Sequence, residues 1–257
     1  MSVNEKMTAI ANNIRNKTGG SEALTLDDMA NGVNEVFDAG QKAQYDAFWD
    51  AYQSNGTKKS YELTFAGGAW NPNTFKPKYL IAPTSARMMF YKATKLTGEH
   101  DSITNIDFSN CTDFGQAFQN FAGLRLGVVD LRQATEVTNG FANCNNLVTV
   151  DKFIVDESFP ASLSLVNNPK LENISIEGVL AKSFNASKSP LTVNSIKSVI
   201  TSLADNTGTA NEYKYTVTFL ASAFEEIEAE GETAEYNGVA CTWAELIDNK
   251  KWNLVKA

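Results

Sequence analysis

The side chains able to perform acid–base, nucleophilic or metal chemistry are few here, and their spacing suits none of the familiar constellations. The single histidine, His100, stands between Gly98-Glu99 and Asp101-Ser102. A Ser-His-Asp hydrolase would have to use it. No Gly-x-Ser-x-Gly turn is present to expose a nucleophile, and no cysteine lies near His100 in sequence. It reads as a loop histidine. Cys111, Cys144 and Cys241 are odd in number and far apart. That fits neither a disulfide framework nor a zinc knuckle, so buried free thiols are expected. No His-Glu-x-x-His, Walker loop or dinucleotide fingerprint occurs, and Gly67-Gly68 reads as a turn. Glu225, Glu226, Glu228, Glu230, Glu232 and Glu235 form an acidic run without EF-hand spacing, as a solvated face would. The chain therefore reads as non-enzymatic, with no cofactor and no metal. Two acids for glycoside cleavage need only meet in space, so glycan degradation stays open as a lesser alternative.

Trp70, Tyr79 and Tyr91, with the Asn-rich turns near them, could form a sugar-stacking binding surface. The same aromatics would equally suit a buried cap and core.

The chain has 257 residues and a formal net charge of -8, with hydrophobic residues at 43% and charged residues at 20%. That composition folds. The acidic balance offers no basic surface to neutralise phosphates or to dock on anionic lipid, so neither nucleic acid nor a membrane is expected as partner. No run of eighteen apolar residues spans a bilayer. Met1-Ser2-Val3-Asn4-Glu5-Lys6 lacks the plan of a secretory signal, so the expectation is a protein made and kept in the cytoplasm, one that leaves by lysis, or one whose signal has been removed.

Around these residues the periodicity changes along the chain. Val3, Met7, Ile10, Ala11 and Ile14 predict an amphipathic helix over 3–16, ended by Gly19-Gly20. Leu24, Thr25, Asp28 and Met29 combine a cap, a capping-box acid and a hydrophobic staple for a second helix. Leu26, Met29, Val33, Val36, Gly40, Ala43 and Ala47 then step by threes and fours. This is either an oligomerising heptad seam or two helices broken near Gly40 that pack on their own domain. Tyr45, Phe48, Trp49 and Tyr52 form an aromatic stripe suited to docking. Tyr61–Phe65 alternates like a strand, and Pro72, Pro77 and Pro83 mark an extended stretch.

Self-similarity follows. Phe90…Leu96, Phe118…Leu124, Phe141…Leu147 and Leu165…Leu171 each pair a large apolar residue with Leu six positions on, and their starts lie 28, 23 and 24 residues apart. Short apolar strands are expected after them at 103–108, 128–131, 147–150 and 171–176, the second displaced by a residue or two. One strand per 23 or so residues is the layout of a leucine-rich solenoid, in which stacked turns share a core no single turn can bury. Asn in the turns can bond backbone groups that have left the ladder. Towards the end, a helix is expected from about Val193 with Ile196, Val199, Ile200 and Leu203 on one face. A strand over Tyr213–Phe219, a short helix over Trp243–Ile247 and a last strand over Trp252–Val255 follow. Residues 191–257 would cover the open end of the stack.

Phe141, Cys144, Leu147 and Val150 give this sequence a Phe-x-x-Cys-x-x-Leu-x-x-Ile-like frame, with Ala93, Phe121 and Asn168 at the Cys position of the other turns. It resembles the BspA-like leucine-rich-repeat proteins over roughly residues 60 to 190. That resemblance implies a solenoid that binds host proteins or glycans without catalysis. Ile10–Gly20 followed by Leu24–Ala30, then Phe48–Gly56 and Thr74–Tyr79, resemble N-terminal and linker modules of phage and prophage structural proteins. This second resemblance implies a virion tail, baseplate or fibre component. Its helices would hold other virion proteins in a homo-oligomer, a trimer being favoured. A bacterial surface adhesin is the alternative. The resulting expectation is an α+β repeat protein: helical attachment region 1–57, irregular leucine-rich-repeat solenoid with a parallel β ladder 58–190, and α/β cap 191–257.

Overall fold

The computed structural model describes residues 82–94, 102–103 and 106–257. The expected helices before residue 57, the strand at 61–65, Gly67-Gly68, Pro72, Pro77 and His100 lie outside them. What is described belongs to the unit Lys59–Ala257.

The described residues build parallel β sheets with three helices. β1 (Ser102–Ile103), β2 (Arg125–Asp130), β3 (Thr149–Val155) and β5 (Asn173–Gly178) form one sheet in that order. Every pairing is parallel, and Ser102, Arg125, Thr149 and Asn173 align, so partners lie 23, 24 and 24 residues apart. Aligned residues point the same way. Ile103, Leu126, Val150 and Ile174 are all buried, as are Val129, Phe153 and Ile176 one inward step further on. A register shift between Val150 and Phe153 gives β3 one residue more than β5, which turns both Asp151 and Lys152 away from the core.

The segments between the strands stack as well. Phe90 N–H donates to Ala117 O at 2.8 Å, and Phe118 N–H to Gly140 O at 2.8 Å. The rings follow: Phe90 and Phe118 lie 5.3 Å apart at 9°, Phe118 and Phe141 5.6 Å apart at 16°. These segments carry positive φ at Gln116, Asn120, Asn139, Asn143 and Asn167. Asn tolerates that region better than most residues, which accounts for the Asn-rich texture.

Residues at the Cys position face inward in all four layers: Ala93, Phe121, Cys144 and Asn168 are 1% exposed or less. Cys144 Sγ donates to Phe118 O at 3.0 Å. In the next layer Asn168 Nδ2 donates to Phe141 O at 2.9 Å, and its Oδ1 accepts from Cys144 N–H at 2.8 Å. All three cysteines are buried and free. Burial pushes the Cys111 and Cys144 thiols up to about 12.

Three expectations need correction. The strands run longer or later than expected, at 125–130, 149–155 and 173–178. Leu124 is 41% exposed, whereas Leu147 and Leu171 are buried. Val148 N–H donates to Leu124 O and Glu172 N–H to Val148 O, so Leu124 aligns with Val148 and the buried Gly123 takes the leucine place. The second layer is one residue shorter between Phe118 and its strand, and Phe121 supplies a ring where the next layer has Cys144. Lastly, the strand expected over 213–219 begins only at Thr216, because Tyr213 sits in a turn at φ 53°.

A second parallel sheet joins β4 (Leu163–Ser164), β6 (Phe184–Ala186), β7 (Thr216–Phe219) and β10 (Asn253–Lys256). Helix α1 (Val193–Ser202) starts at the Thr192 cap and buries Ile196, Val199 and Ile200. Its other side closes the edge of β5. Ser195 Oγ accepts from Ile174 N–H and donates to Glu172 O, both at 2.9 Å, and Ser198 Oγ accepts from Ile176 N–H at 2.9 Å. Hydroxyls here replace the backbone of a next strand, so the edge cannot recruit another chain. α2 (Ala221–Ala229), the antiparallel pair β8 (Ala234–Tyr236) and β9 (Val239–Cys241), and α3 (Trp243–Asn249) complete the fold. α3 opens on a full capping box between Thr242 and Glu245.

Candidate functional site

The candidate site lies on the outward positions of the first sheet. Strand alternation that buries Val150 and Ile174 turns Thr149, Asp151, Asn173 and Ser175 to the opposite face. α1 walls that face with Thr192, Asn194 and Ser198. Together they bound an open groove of about 620 Å3. Its floor sets hydroxyl, amide and carboxylate groups about 4.8 Å apart from strand to strand, within a lining that is mostly apolar and includes Val150 and Ile174.

Arg125 and Asp151 orient one end. Arg125 Nε donates to Asp151 Oδ1 at 2.6 Å and its Nη2 to Oδ2 at 3.0 Å, a bidentate fork. These hydrogen bonds, then the carboxylate charge, hold the Arg125 guanidinium above its ordinary pKa. Beside them Lys152 pairs with Glu177 at 2.6 Å. Both pairs are solvent-facing, so they set direction and charge pattern more than stability. Chemically the groove can exchange hydrogen bonds with a polar, hydroxyl- or amide-bearing surface. Among the described residues no three His, Cys, Asp or Glu side chains gather closely enough to hold a metal ion. No described helix is long and apolar enough to cross a membrane.

Of the aromatic surface expected from sequence, only Tyr91 is described. It is half-buried on the layer stack, with the Lys92 ammonium 5.0 Å from its ring centre. Trp70 and Tyr79 lie outside the described residues, as do Leu26, Met29, Val33, Val36, Gly40, Ala43 and Ala47 of the heptad seam. The acidic run is solvent-exposed and partly neutralised: Lys197 bridges Glu230 and Glu232, and Lys256 pairs with Glu228. Sequence reasoning passed over the groove residues. Their signal was available in the 24-residue spacing of Thr149 with Asn173 and of Asp151 with Ser175, polar pairs set one place from apolar ones. Comparison with protein-family models, curated proteins and solved structures finds no match.

Proposed function

We propose that this chain is a non-enzymatic binding and assembly protein of a phage-type virion, a tail, baseplate or fibre component that presents a short leucine-rich-repeat solenoid for contact. The observation that carries the reading is the in-register stack. Strands repeat every 23 or 24 residues, phenylalanine rings stack behind them, and polar side chains line the face they leave outward. Such a stack offers a rigid grid with many weak contacts, which several copies on one particle would raise to useful avidity. The particle assignment rests on the sequence resemblance of residues 10–20, 24–30, 48–56 and 74–79 to phage structural modules. In this reading residues 1–57 hold other virion proteins and make a homo-oligomer, a trimer being favoured, while the sheet face meets a host-surface glycan or protein. The protein is then made in the host cytoplasm and carried on the particle.

Immunogold electron microscopy of an induced culture lysate tests this directly. Decorated particles are expected. Gold confined to cell envelopes would instead favour a bacterial surface adhesin.

A further inference from the structure

A second concavity lies away from the sheet face, between the end of α2, the segment leading into β8 and the start of α3. It measures about 290 Å3 and is lined by Ile227, Glu228, Glu232, Thr233, Thr242 and Trp243, with Gly231 at the helix end. Ile227 and the Trp243 indole make an apolar wall. Glu228 and Glu232 bring carboxylates, and Thr233 a hydroxyl that meets no partner among the described residues.

Most of the charge is answered from within the chain, two lysines facing three glutamates. Glu228 Oε1 takes the Lys256 ammonium at 2.7 Å. Lys197 holds Glu232 through Oε2 and Glu230 at 3.0 Å, and stands 5.7 Å from the centre of the Trp243 ring. A cation therefore occupies the usual place beside the indole, and a cationic ligand would have to displace it. An anion would face three glutamates. What remains without a partner is the second oxygen of each pocket carboxylate, the Thr233 hydroxyl, and the apolar wall. The Trp243 N–H is buried and bonds to nothing among the described residues, so no hydrogen bond fixes the tilt of the ring.

We propose that this pocket binds a neutral pyranose ring, its C–H face against the Trp243 indole and its hydroxyls on Glu228, Glu232 and Thr233. A pyranose carries an apolar face and hydroxyls that donate to carboxylates and accept from threonine, without adding charge. The volume lies near the lower end of small-molecule sites, roughly 300 Å3, and admits a single ring. The proposal is independent of the particle assignment.

Full-length protein with 15N-labelled indoles tests it by NMR, with a Trp243→Phe variant identifying the Trp243 N–H resonance. The methyl pyranosides of glucose, galactose and N-acetylglucosamine are titrated to about 50 mM, alongside tetramethylammonium and acetate. Saturable movement of the Trp243 resonance by at least one pyranoside is expected, with Trp252 unmoved because its N–H is held by Ala204 O at 2.8 Å. Thr233→Val should weaken binding several-fold, read from the same Trp243 resonance. A Trp243 signal that stays still with every pyranoside overturns the proposal. So does equal affinity in the Thr233→Val variant, or movement by tetramethylammonium or acetate alone.

Discussion

Cys144 and Asn168 hold equivalent places in successive layers and perform one task with different atoms. Each sends a side-chain donor to a phenylalanine carbonyl of the preceding layer, Cys144 to Phe118 O and Asn168 to Phe141 O. Asn168 also accepts from Cys144 N–H, so it satisfies two buried backbone groups at once. Asn168→Ala leaves both unpaired and should cost about 2–4 kcal/mol by urea unfolding. Asn168→Cys retains a donor and should cost less. If the two substitutions are equally harmful, the shared role is wrong. Asp130 is buried at the end of β2. Burial pushes its carboxyl up, but hydrogen bonds and charge from Arg132 outweigh that and hold it below the usual carboxylate range. Its contribution to stability is therefore complete above the unfolded value of about 4 and is lost as pH falls through the lower folded value. Thermal melts of wild type and Asp130→Asn below pH 4 should converge as acid is added. A constant gap between them would remove Asp130 from the acid response.

At the scale of elements, the apolar frame was legible because each inward residue repeats with its layer. Phe90, Phe118, Phe141 and Leu165 are all buried where the spacing put them, and α1 and α3 begin at Val193 and Trp243 as expected. Leu124 was misread because a six-residue interval was carried into a layer that is one residue shorter. Only the strand register shows that Leu126 aligns with Val150, which places Leu124 beside Val148 and not Leu147. The two leucines make a clean test. Leu126→Ala should cost about 2–5 kcal/mol as a core truncation, and Leu124→Ser should change stability by less than about 0.5 kcal/mol. Reversed sizes in chemical denaturation would contradict the register. The edge device on β5 was not legible at all, since Thr192, Ser195 and Ser198 look like the ordinary polar side of an amphipathic helix. Ser195 is 3% exposed and bridges Ile174 N–H to Glu172 O. Ser195→Ala should cost about 1–2 kcal/mol and speed hydrogen exchange at the Ile174 amide. Unchanged exchange there would show that the hydroxyl does not close the edge.

Over the whole molecule, the groove belongs to neither one strand nor one motif. Thr149, Asp151, Asn173, Ser175 and the α1 wall come from three segments that sequence alone does not align, so the face emerged only with the register. A contact surface of this kind gains from copy number. On the proposed reading full-length protein is a homo-oligomer by light scattering, and a shortened chain starting at Ser60 is a monomer. Two monomers would dispose of the heptad seam. The most direct measurement of the account is a cryo-electron-microscopy reconstruction of particles purified from an induced lysate. It should show stacked parallel strands of this chain, joined to the particle at their N-terminal side, with the Thr149–Asn173 face turned outward. Particles that lack the chain, or that bury that face against neighbouring virion proteins, would contradict it.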